Sequence, residues 1–310
     1  MKGENDNASF DRDRFLSIAN GIHDEAFLTN CFIDLLEQLQ FGSENYREEM
    51  KCSAAFYNYT YLALITAITM ELAKIYDQDG DAISISNLLN LFGKNTDKFP
   101  QRMEGPIVVD GKEEIISFPY THKFTHEEIN LLRGRSDELA KRVLAAEETS
   151  YRIQGFYSDD PVKFMPAIEM TLKDYSALYR LKLKRLETAR ENLSKQRSKI
   201  YAHNDAVACF DIAAIQKEFP LTFDDIKNLT SFASEVSQKM IALCTNVVKA
   251  DKPINIWCLE STLKMVRIGA KYLDQYLMDG MGTLKTLDLN QDFSEIAAQL
   301  NAIVDEHFGL

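Results

Sequence analysis

Apolar residues recur at helical spacing along most of the chain. Ile22, Phe27, Phe32, Leu35, Leu36 and Leu39 mark one face of a helix, and the aromatic-rich segment from Tyr46 to Tyr76 is apolar nearly all round. Two antiparallel core helices are expected, the second with neighbours on several sides. It stops at "YDQDGDA", where Asp77, Asp79, Gly80 and Asp81 supply turn chemistry, and "SISNLLNLF" begins a short helix. The turn does not fit a calcium loop, since glycine stands in the fourth place rather than the sixth and Leu88 occupies the twelfth.

The helical pattern lapses over residues 95–123. Within it, "PIVVDGKEEIISF" places two β-rich runs around Asp110-Gly111, a hairpin signal. Thr125 and Glu128 then form a capping-box pattern opening a helix to about Ala146, with a weak point at Gly134. Asp159, Asp160 and Pro161 resemble a further helix start. Beyond it Leu172, Tyr179, Leu186, Leu193 and Ile200 fall seven apart, with Tyr175 and Leu183 on an adjoining track, so this seam should pack against another helix. Thr222 and Asp225 open a helix to about Lys249, and "IWCLESTLKMVRIGAKYLDQYL" and "FSEIAAQLNAIVDEHF" read as later helices. The expected fold is an all-α bundle with a small inserted β-hairpin. Its expected organisation is a helical domain over 1–250, with an insertion at 95–160, and a C-terminal helical extension over 251–310.

Composition narrows the class without naming a function. Of 310 residues, 45% are hydrophobic and 26% charged, an ordinary globular balance. The most apolar window, Tyr59 to Tyr76, is interrupted by Glu71 and Lys74 and is no membrane span. The first fifteen residues are polar and lack the apolar centre of a signal peptide, so a cytoplasmic location is expected. Five cysteines, widely spaced and without a C-x-x-C pair, read as reduced thiols rather than a disulfide framework or zinc site.

Charge is segregated. Between Thr171 and His203 stand nine basic residues (Lys173, Arg180, Lys182, Lys184, Arg185, Arg190, Lys195, Arg197, Lys199) and three acidic ones. That segment carries +6 in a chain of net charge −12, which leaves −18 elsewhere. A phosphate-attracting strip in an acidic protein has this form, and so does a solvated helix face. The strip ends in "RSKIYAHND". Arginine is permanently charged and forks onto phosphate oxygens, whereas histidine exchanges a proton near neutral pH. Together they meet the needs of RNA cleavage by 2′-OH attack, without a metal. Six steps along an ideal helix leave Arg197 and His203 roughly 120° apart, so they converge only if the helix bends or ends, or if a second subunit completes the site.

"RSKIYAHND" matches the R-x4-6-H signature of the HEPN superfamily, with polar Ser198 directly after the arginine. Its wording, and "ELAKIYDQDGDAISISNLLNLF" upstream, resemble the abortive-infection AbiU branch, over roughly residues 24–250 without much of 95–160. The resemblance implies a helical bundle that dimerises so that two motifs face one cleft. It also implies metal-independent endoribonuclease activity, as a toxin or in phage defence, with an antitoxin protein as a candidate partner. On it Arg197 binds and stabilises phosphate, His203 moves the proton, and Ser198, Asn204 and Asp205 support them. Arg180, Lys184, Arg190, Lys195 and Lys199 would hold RNA. Some relatives carry a nucleotidylated tyrosine three places after the histidine; here that residue is Ala206.

Other histidines offer less. His122 and His126 stand four apart, but the Thr125 cap leaves His122 outside the helix, so no metal or cofactor is called for. The rival reading is a noncatalytic helical protein that binds nucleotide, RNA or a protein partner through the same strip.

Overall fold

Most of the expected helices form, with boundaries that follow local capping chemistry, while the expected helix over "FSEIAAQLNAIVDEHF" lies outside the described residues. The computed structural model describes residues 10–79, 82–109, 111–157, 165–202, 212–251 and 259–270. Its helices are α1 (Arg12–Asn45), α2 (Arg47–Lys51), α3 (Ala54–Ile75), α4 (Ile85–Lys94), α5 (His126–Leu132), α6 (Glu138–Tyr157), α7 (Leu172–Arg185), α8 (Glu187–Gln196), α9 (Ile212–Glu218) and α10 (Phe223–Thr245). Residues 259–270 are also helical. The chain is all-α in class, interrupted among the described residues by two small antiparallel sheets. The expected hairpin is the first, β1 (Met103–Val109) paired with β2 (Lys112–Phe118), and its turn is helped by Gly111 at φ +76°.

Ser84 caps α4 by accepting from the Asn87 N–H, and the Thr125/Glu128 and Thr222/Asp225 capping boxes both form. α10 ends on Asn246 in the left-handed region, at φ 56° and four residues short of the expected end.

Three sequence expectations need correction. Gly134 is a full break, since its φ of +79° leaves the helical region, and α5 and α6 are separate. Residues 167–169 are not helical: they form β4, which pairs with β3 (Thr121–Lys123), and α7 starts only at Leu172 behind a Thr171/Asp174 capping box. The Asp159-Asp160-Pro161 start lies outside the described residues. α3 is not buried all round. Its first half exposes Phe56, Tyr59 and Leu62, whereas Leu64, Ile68, Leu72 and Ile75 in the second half are buried.

By contacts the chain divides into two compact units, Met1–Leu36 with Thr60–Asn255, and Glu37–Tyr59 with Ile256–Leu310. In the first, α10 supplies the centre, with Leu229, Ala233, Val236 and Met240 fully buried. α7 and α8 pack on α10, and α4 packs on α7. The α4–α7 approach depends on Gly93, where an added Cβ would sit 2.8 Å from Arg180 Nη2 and 2.9 Å from Ser176 Oγ. A buried hydrogen bond of 2.7 Å from the Tyr76 hydroxyl to the Leu229 carbonyl fastens the end of α3 to α10. Desolvation accompanies that burial and pushes the Tyr76 phenol far above its ordinary range. In the second unit, Arg267 lies 4.3 Å above the Tyr46 ring and pairs with Glu49, while Tyr46 donates to Glu260 at 3.1 Å.

Candidate active site

The sevenfold seam sets the orientation of the basic strip. Leu172, Tyr179 and Leu193 are buried, so the residues between them point to solvent or to neighbouring helices. The seam is not one helix. At Leu186 (φ −84°, ψ 5°) α7 ends and α8 begins, with the Leu186 N–H shared between the Lys182 and Leu183 carbonyls. α8 then passes directly into a π-helical turn over Arg197–Ala202. Such turns are rare and frequently occur at functional sites.

Three arginines of the strip face α4 and the turn before it. Arg180 donates to Asn90 Oδ1 at 3.4 Å. Arg190 is 8% exposed; its guanidinium lies 5.8 Å from the Tyr76 ring centre, donates to Ser86 Oγ at 3.4 Å and stands 3.6 Å from Glu187. Arg197 pairs through Nη1 with Asp77 Oδ2 at 3.3 Å. The guanidinium of Arg197 is only partly used: its side chain is 37% exposed, and its buried Nε has no hydrogen-bond partner.

The rest of the strip divides in two. Lys182 bridges Glu128, at 3.0 Å, and Glu235, and Arg185 pairs with Glu127 at 2.7 Å. Those cations are neutralised. Lys184, Lys195 and Ser198 are exposed, and Lys199 lies 4.5 Å over the Phe219 ring and 3.7 Å from Glu218. His203, Asn204 and Asp205 lie outside the described residues. The structure therefore brings Arg180, Arg190 and Arg197 to one side of α7 and α8. It leaves the meeting of Arg197 with His203 undescribed.

Asp77 is the neighbour that sequence reading missed. Its sequence context shows only turn chemistry, and a pairing across 120 residues leaves no trace in periodicity. A hint lay in the resemblance, which rested on the Asp-rich turn and the R-x-H segment together.

Glu128 has a different role. Burial alone would raise its carboxyl, but the hydrogen bond from His122 (3.1 Å), the Thr125 N–H and the Lys182 charge outweigh burial and bring it down to about 2. His122 is thereby tied to Glu128 from β3. Among the described residues no group of three or more His, Cys, Asp or Glu side chains is placed to hold a metal. A cavity of about 460 Å³ opens between α5, α7 and α10, lined by the paired charges of Glu127, Glu128, Lys182, Arg185 and Glu235. Arg197 is not among its lining residues.

A helical bundle with a basic helix pair ending in R-S-K-I-Y-A-H is the layout of a HEPN protein. The family model described as AbiU2, within HEPN, matches residues 14–253, and the chain belongs to that family. No curated protein and no solved structure matches it. The matched range brackets the hairpin region as well, beyond what the sequence resemblance covered. No helix among the described residues is long and apolar enough to cross a membrane.

Proposed function

We propose that this protein is a metal-independent endoribonuclease of HEPN type, acting as a toxin or in phage defence, whose site is completed when a second copy brings its own motif across a twofold cleft. In this reading His203 takes the proton from a ribose 2′-OH. The 2′ oxygen attacks the adjacent phosphorus, the bond to the 5′ oxygen breaks, and a protonated histidine, from the same motif or the partner's, returns a proton to that leaving oxygen. The products are a 2′,3′-cyclic phosphate and a free 5′-OH. Arg197 offsets the charge that gathers on the phosphoryl oxygens. Ser198, Asn204 and Asp205 support the pair, and the exposed cations Arg180, Lys184 and Lys195 draw the strand in. An antitoxin protein would restrain such activity in the cell.

The observation that carries this reading is the state of Arg197. It stands at the first position of a π-helical turn, partly exposed, with one edge on Asp77 and a buried Nε left unpaired. Arg190 also leaves its Nε unpaired but is 8% exposed, so what sets Arg197 apart is its exposure at the turn, which leaves its guanidinium open to a phosphate.

The test uses single-stranded RNA in EDTA with purified wild type, Arg197→Ala and His203→Ala, each checked for folding by circular dichroism. Cleavage by the wild type and by neither variant is the expected result. If both variants cleave as the wild type does, the site is misassigned. RNA binding without cleavage by any of the three favours a binding role for the same strip.

A further inference from the structure

A second cationic site lies away from Arg197. A cavity of about 390 Å³ is lined by Arg12, at the start of α1, Arg102 and Glu104, at the hairpin, and Tyr120 and Lys239, beside the end of α10. This volume is within the range of small-molecule sites, roughly 300–1,000 Å³. Three cations against one carboxylate give the wall a charge of +2, in a chain whose net charge is −12.

Lys239 is the telling residue. Its ammonium lies 4.2 Å from the Tyr175 ring centre and 4.7 Å from that of Tyr120, half-buried between two aromatic faces. No carboxylate among the described residues pairs with it, and burial pushes its pKa below the ordinary lysine range. The 460 Å³ cavity behaves oppositely, since Lys182 and Arg185 there are each matched by glutamates. A partly desolvated cation held without a counter-charge at a cavity wall is ready for an anion from solution.

The two arginines retain free donors. Arg12 uses one nitrogen on the Cys244 carbonyl, which covers the negative end of α10 where an anion would otherwise be repelled. Arg102 reaches Ser117 through Nε and one Nη. Pro100, Met103 and the Tyr120 ring supply apolar wall for the body of a ligand.

We propose that this cavity binds a small phosphomonoester. A phosphomonoester carries about −1.5 to −2 at neutral pH and offers three acceptor oxygens, which matches a +2 wall with three cationic donors. A monocarboxylate would leave part of that charge unanswered. The site is separate from the proposed RNA site and does not depend on it.

Isothermal titration of the full-length protein with ribose 5-phosphate, and with ribose and malonate as comparisons, tests the assignment. Ribose 5-phosphate binds and ribose does not. Arg102→Gln and Lys239→Met each weaken binding about tenfold or more, the loss of one charge-assisted hydrogen bond. Arg102 is exposed, so its variant remains informative if Lys239→Met fails to fold. Arg197→Ala leaves the binding in place. The proposal is overturned by the absence of heat at millimolar ribose 5-phosphate, by equal affinity for malonate, or by binding that survives Arg102→Gln but disappears in Arg197→Ala.

Discussion

Arg197 Nη1 and Asp77 Oδ2 stand 3.3 Å apart, joining the end of α8 to the turn that follows α3. The pair is open to water, with 37% of the arginine side chain and 26% of the aspartate exposed, so its contribution to folding is under about 1 kcal/mol. Its effect should fall on RNA. At the proposed site Asp77 would compete with RNA phosphate for the guanidinium while fixing where that guanidinium points. Asp77→Asn removes a negative charge from the path of RNA and releases Arg197, so KM should fall and kcat should fall with it, each several-fold. The melting temperature should hardly move. Unchanged KM and kcat together would show that the pair takes no part in the reaction.

The strip's cations should separate by experiment as they do by exposure. Lys184 and Lys195 are exposed, so Lys→Ala at either should weaken RNA binding and flatten the plot of log K against log salt by about 0.7, the slope per phosphate contact on a single strand. Arg190 is packed against Tyr76, Ser86 and Glu187. Arg190→Ala should instead lower stability by roughly 2–3 kcal/mol with the salt slope intact. The measurements are fluorescence-anisotropy titration across salt and urea unfolding. A changed slope with unchanged stability for Arg190→Ala refutes the division.

What the sequence disclosed depended on the range of the interaction. Capping boxes at Thr125 and Thr222 act over three residues and were legible, as was the β1–β2 hairpin, whose partners flank one turn. The β3–β4 pair joins residues more than forty apart through three-residue strands, too short to show period-two alternation. The sevenfold seam has the pattern of one continuous helix because the break at Leu186 replaces no apolar residue and involves neither Gly nor Pro. At the candidate site the arginine and the strip could be read from local spacing. Asp77 could not, since no single sequence records a contact between distant turns.

Glu25 on α1 and Glu71 on α3 share a hydrogen bond, and this, with burial and the Glu71 charge, raises the Glu25 carboxyl to about 7; Lys74 opposes the shift and Asp24 adds to it. A carboxyl raised on folding stabilises the protein fully below its ordinary value of 4.5, and that stability is lost as pH rises through about 7. Glu25→Gln should therefore remove a loss of stability that the wild type shows between pH 4.5 and about 7. The site is half-exposed, so the difference stays under about 1 kcal/mol. Parallel stability curves for the two proteins across that range would contradict the shared proton.

Glu128 should act with the opposite sign. Its carboxylate is 6% exposed and accepts from His122, the Thr125 N–H and Lys182, which together hold it at about 2 against an ordinary value of 4.5. A carboxyl lowered on folding stabilises the protein above pH 4.5, and that stability is lost as pH falls from 4.5 toward 2. Glu128→Gln keeps the size of the side chain but loses the charge that Lys182 and His122 face, so at pH 7 it should cost about 2–3 kcal/mol. Lys182 retains Glu235, which limits the loss. Calorimetric melting from pH 7 down to pH 2.5 should show the two proteins far apart at neutral pH and converging in acid. A gap that stays constant with pH would mean that Glu128 acts through packing and capping rather than through its charge.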